Sequence, residues 1–326
     1  MPTGDIADFA INQEPRCPVV LLLDNSGSMS GQLLLNCKIT TFKDWEHMAN
    51  YIISETDLDP LGQFSGSIDN DTITVENYQD TISYTILGLS GQDSIIGANG
   101  KDILFGMEGN DTILGRDNND ILYGNEGNDS LEGGSGYDYD TIYGGQGNDI
   151  IKDGSYSFDD NGISLLFGNL GDDSITVFNS GNADLFGGQG KDILTGYEGS
   201  NRISGDRDQD ILRGDLYETG GADTFIISKT ADLNEIPTGT ENADLILDFI
   251  NVEDKIGLVG VTFEQLVISD IQPQQIDSIF GKGSVEENFG TNITKFLKIE
   301  SGGELLAVLG RDRDNFTLTA NDFVII

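Results

Sequence analysis

A nine-residue repeat runs through the middle of this 326-residue chain and limits the folds that the chain can adopt. Read from Gly88 in steps of nine, the sequence gives GLSGQDSII, GANGKDILF, GMEGNDTIL, GRDNNDILY and GNEGNDSLE. Five further copies begin at residues 144, 168, 187, 196 and 205. Position six is Asp in every copy except one, which has Asn201, and position eight is always Ile or Leu. Such a period predicts a solenoid of stacked repeats.

The residue types at each position indicate how one repeat is built. A single aliphatic side chain at position eight, with an outward residue on each side, is typical of a very short strand with one buried position. The glycines allow positive φ angles and a close approach of backbones in the turn. Position six therefore places a carboxylate where the turn leads into the strand.

The charge of the chain limits its partners. There are 17 Lys and Arg residues against 56 Asp and Glu residues, a formal net charge of −39. A field this negative repels nucleic acid and anionic lipid, and it attracts cations. A disordered acidic chain is the alternative, but regularly spaced Ile, Leu and Phe run through the acidic region. No apolar run approaches the roughly 18 residues that a transmembrane helix needs, so none is expected.

The repeat matches the pattern G-G-x-G-x-D-x-U-x, in which U is a large aliphatic residue. On these residues the chain resembles the repeats-in-toxin (RTX) family over roughly residues 66–226. The resemblance implies an all-β fold, a parallel β-roll in which each nonamer forms half a coil and turns stack at i+18. At this spacing the carboxylates stack as Asp93 on Asp111 on Asp129, Asp102 on Asp120, and Asp192 on Asp210.

Stacked carboxylates at the sheet spacing of roughly 4.8 Å repel one another unless a cation lies between them. Ca²⁺ takes about six to eight oxygen ligands from carboxylates and backbone carbonyls, and the resemblance implies that neighbouring turns share each ion. The alternative is that these side chains only form turn hydrogen bonds. We predict several Ca²⁺ ions, with ligands from Asp71, Asp80, Asp93, Asp102, Asp111, Asp120, Asp129, Asp140, Asp149, Asp173, Asp192 and Asp210.

Irregular copies of the repeat leave open which residue occupies position six in some coils. Asp71 and Asp80 come from weaker copies at 66–74 and 75–83. Either Asp138 or Asp140 can occupy position six after a two-residue slip, and the DTIY that follows favours Asp140. The insertions at 139–140 and 153–158 are expected to break the row. The neutral side chain of Asn201 is expected to weaken one site.

The composition changes after GGADTF, near residue 226. Alternating apolar residues predict strands at 243–250, 255–261, 294–300 and 304–310, with a hairpin turn at Gly302-Gly303. A β-rich cap over 227–326 would cover the end of the solenoid. This region also resembles the C-terminal part of RTX proteins, which implies an uncleaved signal for type I secretion. The N-terminus shows no secretory signal pattern, so we expect an extracellular protein that is exported without a signal peptide.

The first 60 residues are predicted to form a short α/β segment. The stretch RCPVVLLLDNSGSMSG closely resembles the first strand and metal-ion-dependent adhesion site of a von Willebrand factor A domain, with Asp24, Ser26 and Ser28 as candidate ligands of a divalent ion. Such a domain is longer than the space before the repeats, so the segment is interpreted as a remnant or a fusion. A binding module using these three residues is the alternative function. Helical spacing of apolar residues predicts a helix over 39–55.

The sequence does not support a catalytic reading. The only histidine, His47, falls off the apolar stripe of the predicted helix, and one histidine excludes the H-E-x-x-H motif of zinc proteases. No G-x-S-x-G elbow is present. We therefore predict a non-enzymatic protein, with an exoenzyme remnant lacking its catalytic domain as a further alternative. The expected partners are calcium ions, the type I secretion machinery and a cell-surface or matrix component, and no pairing is predicted for Cys17 and Cys37.

Overall fold

The structure is a computed structural model. It divides the chain into two compact units, residues 1–46 and 47–326, and every described residue lies in the second. The predictions for Asp24, Ser26, Ser28, His47 and Asp80 lie outside the described residues. The described ranges are 49–53, 57–58, 62–75, 82–134, 138–154, 162–178, 181–215, 221–229, 240, 242–250, 253–281, 295–311 and 317–326.

The second unit is predominantly β, and its strands follow one another closely along the chain. One α-helix, α1 (Pro273–Phe280), and two 3-10 turns (Phe263–Gln265 and Ala320–Asp322) interrupt them in the described part of the chain. The strands are β1 (Ala49–Ile53), β2 (Gln63–Ser65), β3 (Asp71–Val75), β4 (Thr85–Ser90), β5 (Ser94–Ile96), β6 (Ile103–Glu108), β7 (Thr112–Leu114), β8 (Ile121–Glu126), β9 (Ser130–Glu132), β10 (Thr141–Gln146), β11 (Ile150–Asp153), β12 (Ile163–Leu170), β13 (Ser174–Val177), β14 (Asn182–Gln189), β15 (Ile193–Thr195), β16 (Arg202–Arg207), β17 (Ile211–Arg213), β18 (Thr224–Ser228), β19 (Asp244–Ile246), β20 (Lys255–Val259), β21 (Leu266–Asp270), β22 (Lys295–Ser301), β23 (Glu304–Arg311) and β24 (Phe323–Ile325).

These strands form two sheets. From β1 to β20 the chain alternates between them, so that odd-numbered strands form sheet A and even-numbered strands form sheet B. Within each sheet, neighbours among β1 to β20 are parallel, as in the pairing of Ile103 with Ile121 across β6 and β8. Each pair of nonamers therefore completes one coil. This arrangement confirms the predicted parallel β-roll.

The core of the roll is a column of single aliphatic side chains from each sheet. The position-eight residues are at most 1% exposed, as for Ile95, Leu104 and Ile113. The flanking positions point outward, and on sheet B they carry a stack of parallel rings. The ring centroids of neighbours in this stack lie 4.8–5.0 Å apart, in the order Phe105, Tyr123, Tyr143, Phe167 and Phe186.

The predicted helix over 39–55 is wrong for its last part, because Ala49–Ile53 forms strand β1. This strand pairs in parallel with β3, with Tyr51 opposite Ile73. Ile53 is buried in the core, whereas Ile52 is 71% exposed, which is the alternation of a strand. Apolar residues at helical spacing were too few to outweigh an open sheet edge that supplies a full set of backbone partners. Residues 39–48 lie outside the described part of the chain.

The C-terminal strands extend the roll and then close it. β19 and β20 occur where strands are predicted, and each continues its sheet in parallel. β22 and β23 form the predicted antiparallel hairpin, and both Gly302 (φ 63°) and Gly303 (φ 93°) have the positive φ that a two-residue hairpin turn favours. Helix α1 packs beside this hairpin through the buried Ile276. No helix in the described part of the chain is long and apolar enough to cross a membrane.

Substitutions in the core column should destabilise the protein more than substitutions on the outer face of the same strand. Ile113→Ala removes a side chain that is 1% exposed and should lower the free energy of unfolding in saturating calcium by about 2–5 kcal/mol. Thr112→Ala, at the adjacent exposed position, should change it by less than about 0.5 kcal/mol. Denaturant unfolding measures both. Equal effects of the two substitutions would contradict the assignment of the inward face.

Candidate calcium sites

The residues at position six line up along the two edges of the roll, where the chain passes between the sheets. We call the position-six residues at the start of the strands of sheet A row A, and those at the start of the strands of sheet B row B; most stand immediately before the strand, whereas Asp71, Ser164 and Ala183 lie within it. Row A consists of Asp71, Asp93, Asp111, Asp129, Asp149, Asp173, Asp192 and Asp210. Row B consists of Tyr84, Asp102, Asp120, Asp140, Ser164, Ala183, Asn201 and Asp223.

Carboxylates join the coils of row A through the backbone. The Oδ1 atom of each row A residue from Asp93 onward accepts a hydrogen bond from the backbone N–H of the row member one coil earlier, at 2.7–2.8 Å. The sequence-predicted stack of Asp93, Asp111 and Asp129 is part of this chain, and so is Asp192 on Asp210. Each carboxylate thus fixes one coil to the next.

Row A is continuous, so the expected break at the insertions is wrong for this edge. Asp129 donates to Asp149 and Asp149 donates to Asp173 without a gap. The reason is topological: the extra residues lie in the connections from β9 to β10 and from β11 to β12, which both run from sheet A to sheet B. They leave the roll at the row B edge, and the turns of row A are unaffected.

Row B is interrupted. The same hydrogen bonds connect Asp102 to Asp120 and Asp120 to Asp140, so Asp140 rather than Asp138 occupies position six, as the sequence favours. Ser164 and Ala183 follow and supply no carboxylate. The row then resumes at Asn201, whose side-chain oxygen accepts the N–H of Ala183 at 3.1 Å.

The first coil of row B differs from the register that the weak copy at 75–83 predicts. Strand β4 begins at Thr85, which pairs with Ile103, so the residue at position six is Tyr84. Its backbone N–H donates to the Oδ1 of Asp102 at 2.7 Å. Asp80, the predicted ligand in this copy, stands four residues earlier in the sequence. The copy is degenerate, and strand pairing with the regular coil beside it sets the register instead.

The second carboxylate oxygen is the unusual feature of these rows. In nine of the predicted ligands the Oδ2 atom is buried and has no hydrogen-bond partner: Asp93, Asp111, Asp120, Asp129, Asp140, Asp149, Asp173, Asp192 and Asp210. In Asp71 and Asp102 it accepts a nearby backbone N–H, from Ser67 and Ala98. Buried polar atoms are normally satisfied, and a repeated exception requires an explanation such as a bound ion.

A glycine at position one makes room for each of these oxygens. A Cβ atom placed on Gly106 would overlap the Oδ2 of Asp111 and would lie 2.9 Å from the carbonyl oxygen of Gly124. In row B the glycine is replaced by Asp153 and Val177 in the two coils that carry Ser164 and Ala183 at position six. Glycine is kept in every coil that has Asp or Asn at position six, and it is also absent from the coil of Tyr84, where Val75 takes its place. This pattern is what a direct steric contact predicts.

Burial favours the neutral form of these carboxyl groups. It raises the pKa of Asp93, Asp111, Asp129, Asp149 and Asp192 to about 6. Burial, together with neighbouring carboxylates, raises the pKa of Asp120, Asp173 and Asp210 to about 8, against a lowering contribution from backbone N–H groups. For Asp140 the same causes, with Asp153 the strongest neighbouring charge, raise the pKa to about 10. When the carboxyl groups of these rows are ionised, they require a counter-charge.

The donor set fits Ca²⁺. The rows offer hard carboxylate oxygens next to the backbone carbonyls of glycine-rich turns, which is the ligand chemistry that Ca²⁺ prefers. Among the residues that the structure describes, no three acidic, His or Cys side chains already surround a cation position. Much of each ligand set must therefore come from backbone carbonyls. A bound ion would neutralise the carboxylates and join neighbouring coils.

Several buried acids were missed by the sequence reading. Asp223 continues row B, and Asp254 follows it, since the N–H of Asp223 donates to the Oδ1 of Asp254 at 3.0 Å. Asp153 is also buried. The GGADTF motif was the available signal for Asp223, because it repeats the G-x-D spacing. Asp138 is the sequence alternative to Asp140 at position six, whereas Asp153 stands at position one, where the repeat has glycine and no ligand is expected.

The fold and the rows together define a calcium-binding β-roll. The model of the RTX calcium-binding nonapeptide repeat matches the chain in four copies, at residues 85–113, 105–139, 139–152 and 179–215. Over residues 85–152 and 179–215 the chain therefore carries RTX calcium-binding nonapeptide repeats. No curated protein resembles the chain closely enough to count as a relative.

The raised pKa values predict how the calcium-free chain responds to pH. A carboxyl group whose pKa is higher in the folded state stabilises that state below its ordinary pKa of 3.8, and this contribution is lost as the pH rises through the folded-state value. For Asp93, Asp111 and Asp129 the loss accumulates between pH 3.8 and about 6, and for Asp173 and Asp210 it continues to about pH 8.

We therefore expect the chain in chelator to gain β structure as the pH is lowered from about 8 to about 4, as measured by circular dichroism. With saturating calcium the dependence should reverse, because protons compete with Ca²⁺ for the same carboxylates. A calcium-free chain with the same spectrum throughout this range would show that the buried carboxylates do not control folding.

Proposed function

We propose that this protein is a secreted, non-enzymatic calcium-binding protein whose β-roll folds when Ca²⁺ binds. The observation that carries the proposal is the set of nine buried Oδ2 atoms without a hydrogen-bond partner, repeated in register along both edges of the roll. The matched RTX repeats support calcium as the ligand. The ions then have a structural role, and no catalytic step is assigned to them.

The balance of forces favours coupling between folding and binding. Each short strand of the repeats buries a single fully enclosed aliphatic residue, while ordering every residue has an entropic cost of about 1–2 kcal/mol. Rows of ionised carboxylates at the spacing of adjacent strands add repulsion. An ion that binds only the folded roll shifts the equilibrium by mass action, and the shift is multiplied over several sites.

Export is supported by sequence features of the C-terminal region. Three stretches resemble the part of RTX proteins that carries the type I secretion signal: GGADTF, INVEDKIGL and the terminal Asp322-Phe-Val-Ile-Ile326. Calcium-dependent folding suits such a route, since a chain that stays unfolded where calcium is scarce can be threaded outward and can fold where calcium is plentiful.

Calcium addition should convert the purified full chain from a largely unfolded state to a β-rich state. We expect the circular dichroism spectrum in chelator to lack the β signal of the roll, and millimolar Ca²⁺ to restore it. Mg²⁺ at the same concentration is the control and should restore little, because it demands a smaller and more regular octahedral site. Identical spectra with and without calcium would rule out calcium-coupled folding.

In a host that expresses a type I exporter, a chain that lacks residues 267–326 should no longer be found in the medium. Because this deletion also removes strands of the cap, the matched experiment attaches residues 267–326 to an unrelated passenger, which should then be exported. Deletion of the separate unit 1–46 should leave export unchanged. Normal export without the C-terminal segment, or no export of the passenger, would refute the secretion proposal.

A further inference from the structure

The outer face of sheet B carries almost no charge, although the chain has a formal net charge of −39. At three outward positions on each strand from β4 to β12, the residues are apolar, hydroxyl-bearing, amide or glycine, and none is acidic or basic. Strand pairing arranges them in three lines across the coils: Thr85, Ile103, Ile121, Thr141 and Leu165; Leu87, Phe105, Tyr123, Tyr143 and Phe167; and Leu89, Met107, Asn125, Gly145 and Asn169. We call this surface, together with Phe186 and Gly188 of β14, the sheet B face.

The aromatic stack in the middle of this face presents ring edges rather than ring faces. Neighbouring rings lie within 8° of parallel, with centroids 4.8–5.0 Å apart, so each inner ring is covered on both faces by its neighbours. A ligand that stacks on aromatic rings, such as a nucleobase, needs open faces. Ring edges beside lines of aliphatic side chains suit the face of another sheet, because the side chains of packed sheets interdigitate.

Two apolar residues of the face have a backbone conformation that bulky side chains rarely adopt. Leu89 has a φ of 85° and Met107 has a φ of 84°. Asn125, Gly145 and Asn169 stand at the same place in the following coils, and Asn and Gly tolerate positive φ more readily. Because those coils form the same strand pairs, the roll does not need the two large side chains for folding. They are kept on this face against a backbone cost.

The third line of the face is self-complementary in size. It is bulky at one end, with Leu89 and Met107, and small at the other end, with Asn169 and Gly188. A two-fold axis that runs along the strands between β8 and β10 reverses the order of the coils. It places Leu89 of one copy opposite Gly188 of another copy, and Met107 opposite Asn169. A two-fold interface needs a surface that is complementary to itself in this way.

The same arrangement keeps the acidic residues at the rim of the face apart. Each chain carries 56 acidic against 17 basic residues, and like charges that face each other oppose association. Glu108 and Glu126 are exposed at the rim, in line with Gln146 and Leu170. With the coil order reversed, Glu108 lies opposite Leu170 of the other copy and Glu126 lies opposite Gln146. The face and its rim therefore allow two acidic chains to approach closely.

The size of the face sets the strength that such a dimer should have. Six strands at the sheet spacing, with four outward positions along each strand, give a surface of roughly 30 by 15 Å. Two copies together then bury about 900 Å², which is at the small end of specific interfaces. A dissociation constant in the micromolar range is expected for an interface of this size.

We infer that the sheet B face binds a second copy of this chain, as a two-fold dimer in which the coils of the two rolls run in reversed order. The strands of the two copies are then aligned, as in packed sheets. The interface uses none of the residues of row A or row B. This inference therefore goes beyond the proposed function: it requires a folded roll, and it does not depend on secretion or on calcium-coupled folding.

Sedimentation velocity of the full-length chain in saturating calcium, at about 1–100 μM, tests the dimer over the expected range of dissociation constants. The mass should rise with concentration from 35.2 kDa towards twice that value. Phe167→Glu places a charge at the centre of the face and should raise the dissociation constant by about tenfold or more. Thr112→Glu, at an exposed position on the outer face of sheet A, adds the same charge and should change it little. A chain that stays monomeric would overturn the inference, and so would a dimer that persists unchanged with Phe167→Glu.

A second variant covers the case in which Phe167→Glu disturbs the fold, seen as a changed circular dichroism spectrum in calcium. Leu170→Glu alters a side chain that is 43% exposed, so the fold should persist. It brings two acidic residues together, because Leu170 lies opposite Glu108, and should weaken the dimer by roughly tenfold or more. An unchanged dissociation constant with Leu170→Glu would overturn the inference.

Another occupant of the face would be recognised in the same preparations. Cosedimentation of a monomeric chain with cellulose would overturn the inference and would assign the face to a neutral polysaccharide. Failure of the proposed function is seen separately, in the folding of the unmodified chain with and without calcium.

Discussion

The structure depends on the link between a carboxylate in one coil and the backbone N–H in the coil before it. One oxygen of each row residue makes this link, at 2.7–2.8 Å along the whole of row A. The other oxygen is left buried without a donor in nine of the predicted ligands. The link that orders the coils therefore brings negative charges together out of water, and only a cation or protons can make that arrangement stable.

The contact between glycine and aspartate explains why the repeat has its spacing. Position one has room for no side chain because the Oδ2 of the aspartate five residues later lies against it. The three coils without this glycine, which have Val75, Asp153 and Val177 in its place, also lack the aspartate. A coil that lacks both still pairs in both sheets, as β11 with β13 in sheet A and β12 with β14 in sheet B show. The roll can therefore interrupt one row of carboxylates without losing its fold.

Much of the fold could be predicted from the sequence because the same pattern of residues occurs in many copies of the repeat. The core column, the alternation of sheets and the stacking of Asp93 on Asp111 each rest on several identical copies. The prediction was wrong where a single segment had to be read alone. Ala49–Ile53 has apolar residues at helical spacing, but an available sheet edge determines its structure.

The candidate site was predictable to a similar extent and for the same reason. Every predicted ligand that the structure describes lies in row A or row B. Continuity of row A through the insertions could not be foreseen, because it depends on which edge of the roll the extra residues leave. Asp153 escaped notice because its burial is a property of packing, and no spacing in the sequence encodes it.

Hydrogen exchange of the row amides tests the central claim most directly. The N–H groups of Asp93, Asp111 and Asp129 donate to the carboxylates of the following coil, so they report on that link itself. The account predicts strong protection in saturating calcium and exchange at nearly unfolded rates in chelator at pH about 7.5. Equal protection of these amides with and without calcium would contradict it, because the carboxylate rows would then be stable without their ions.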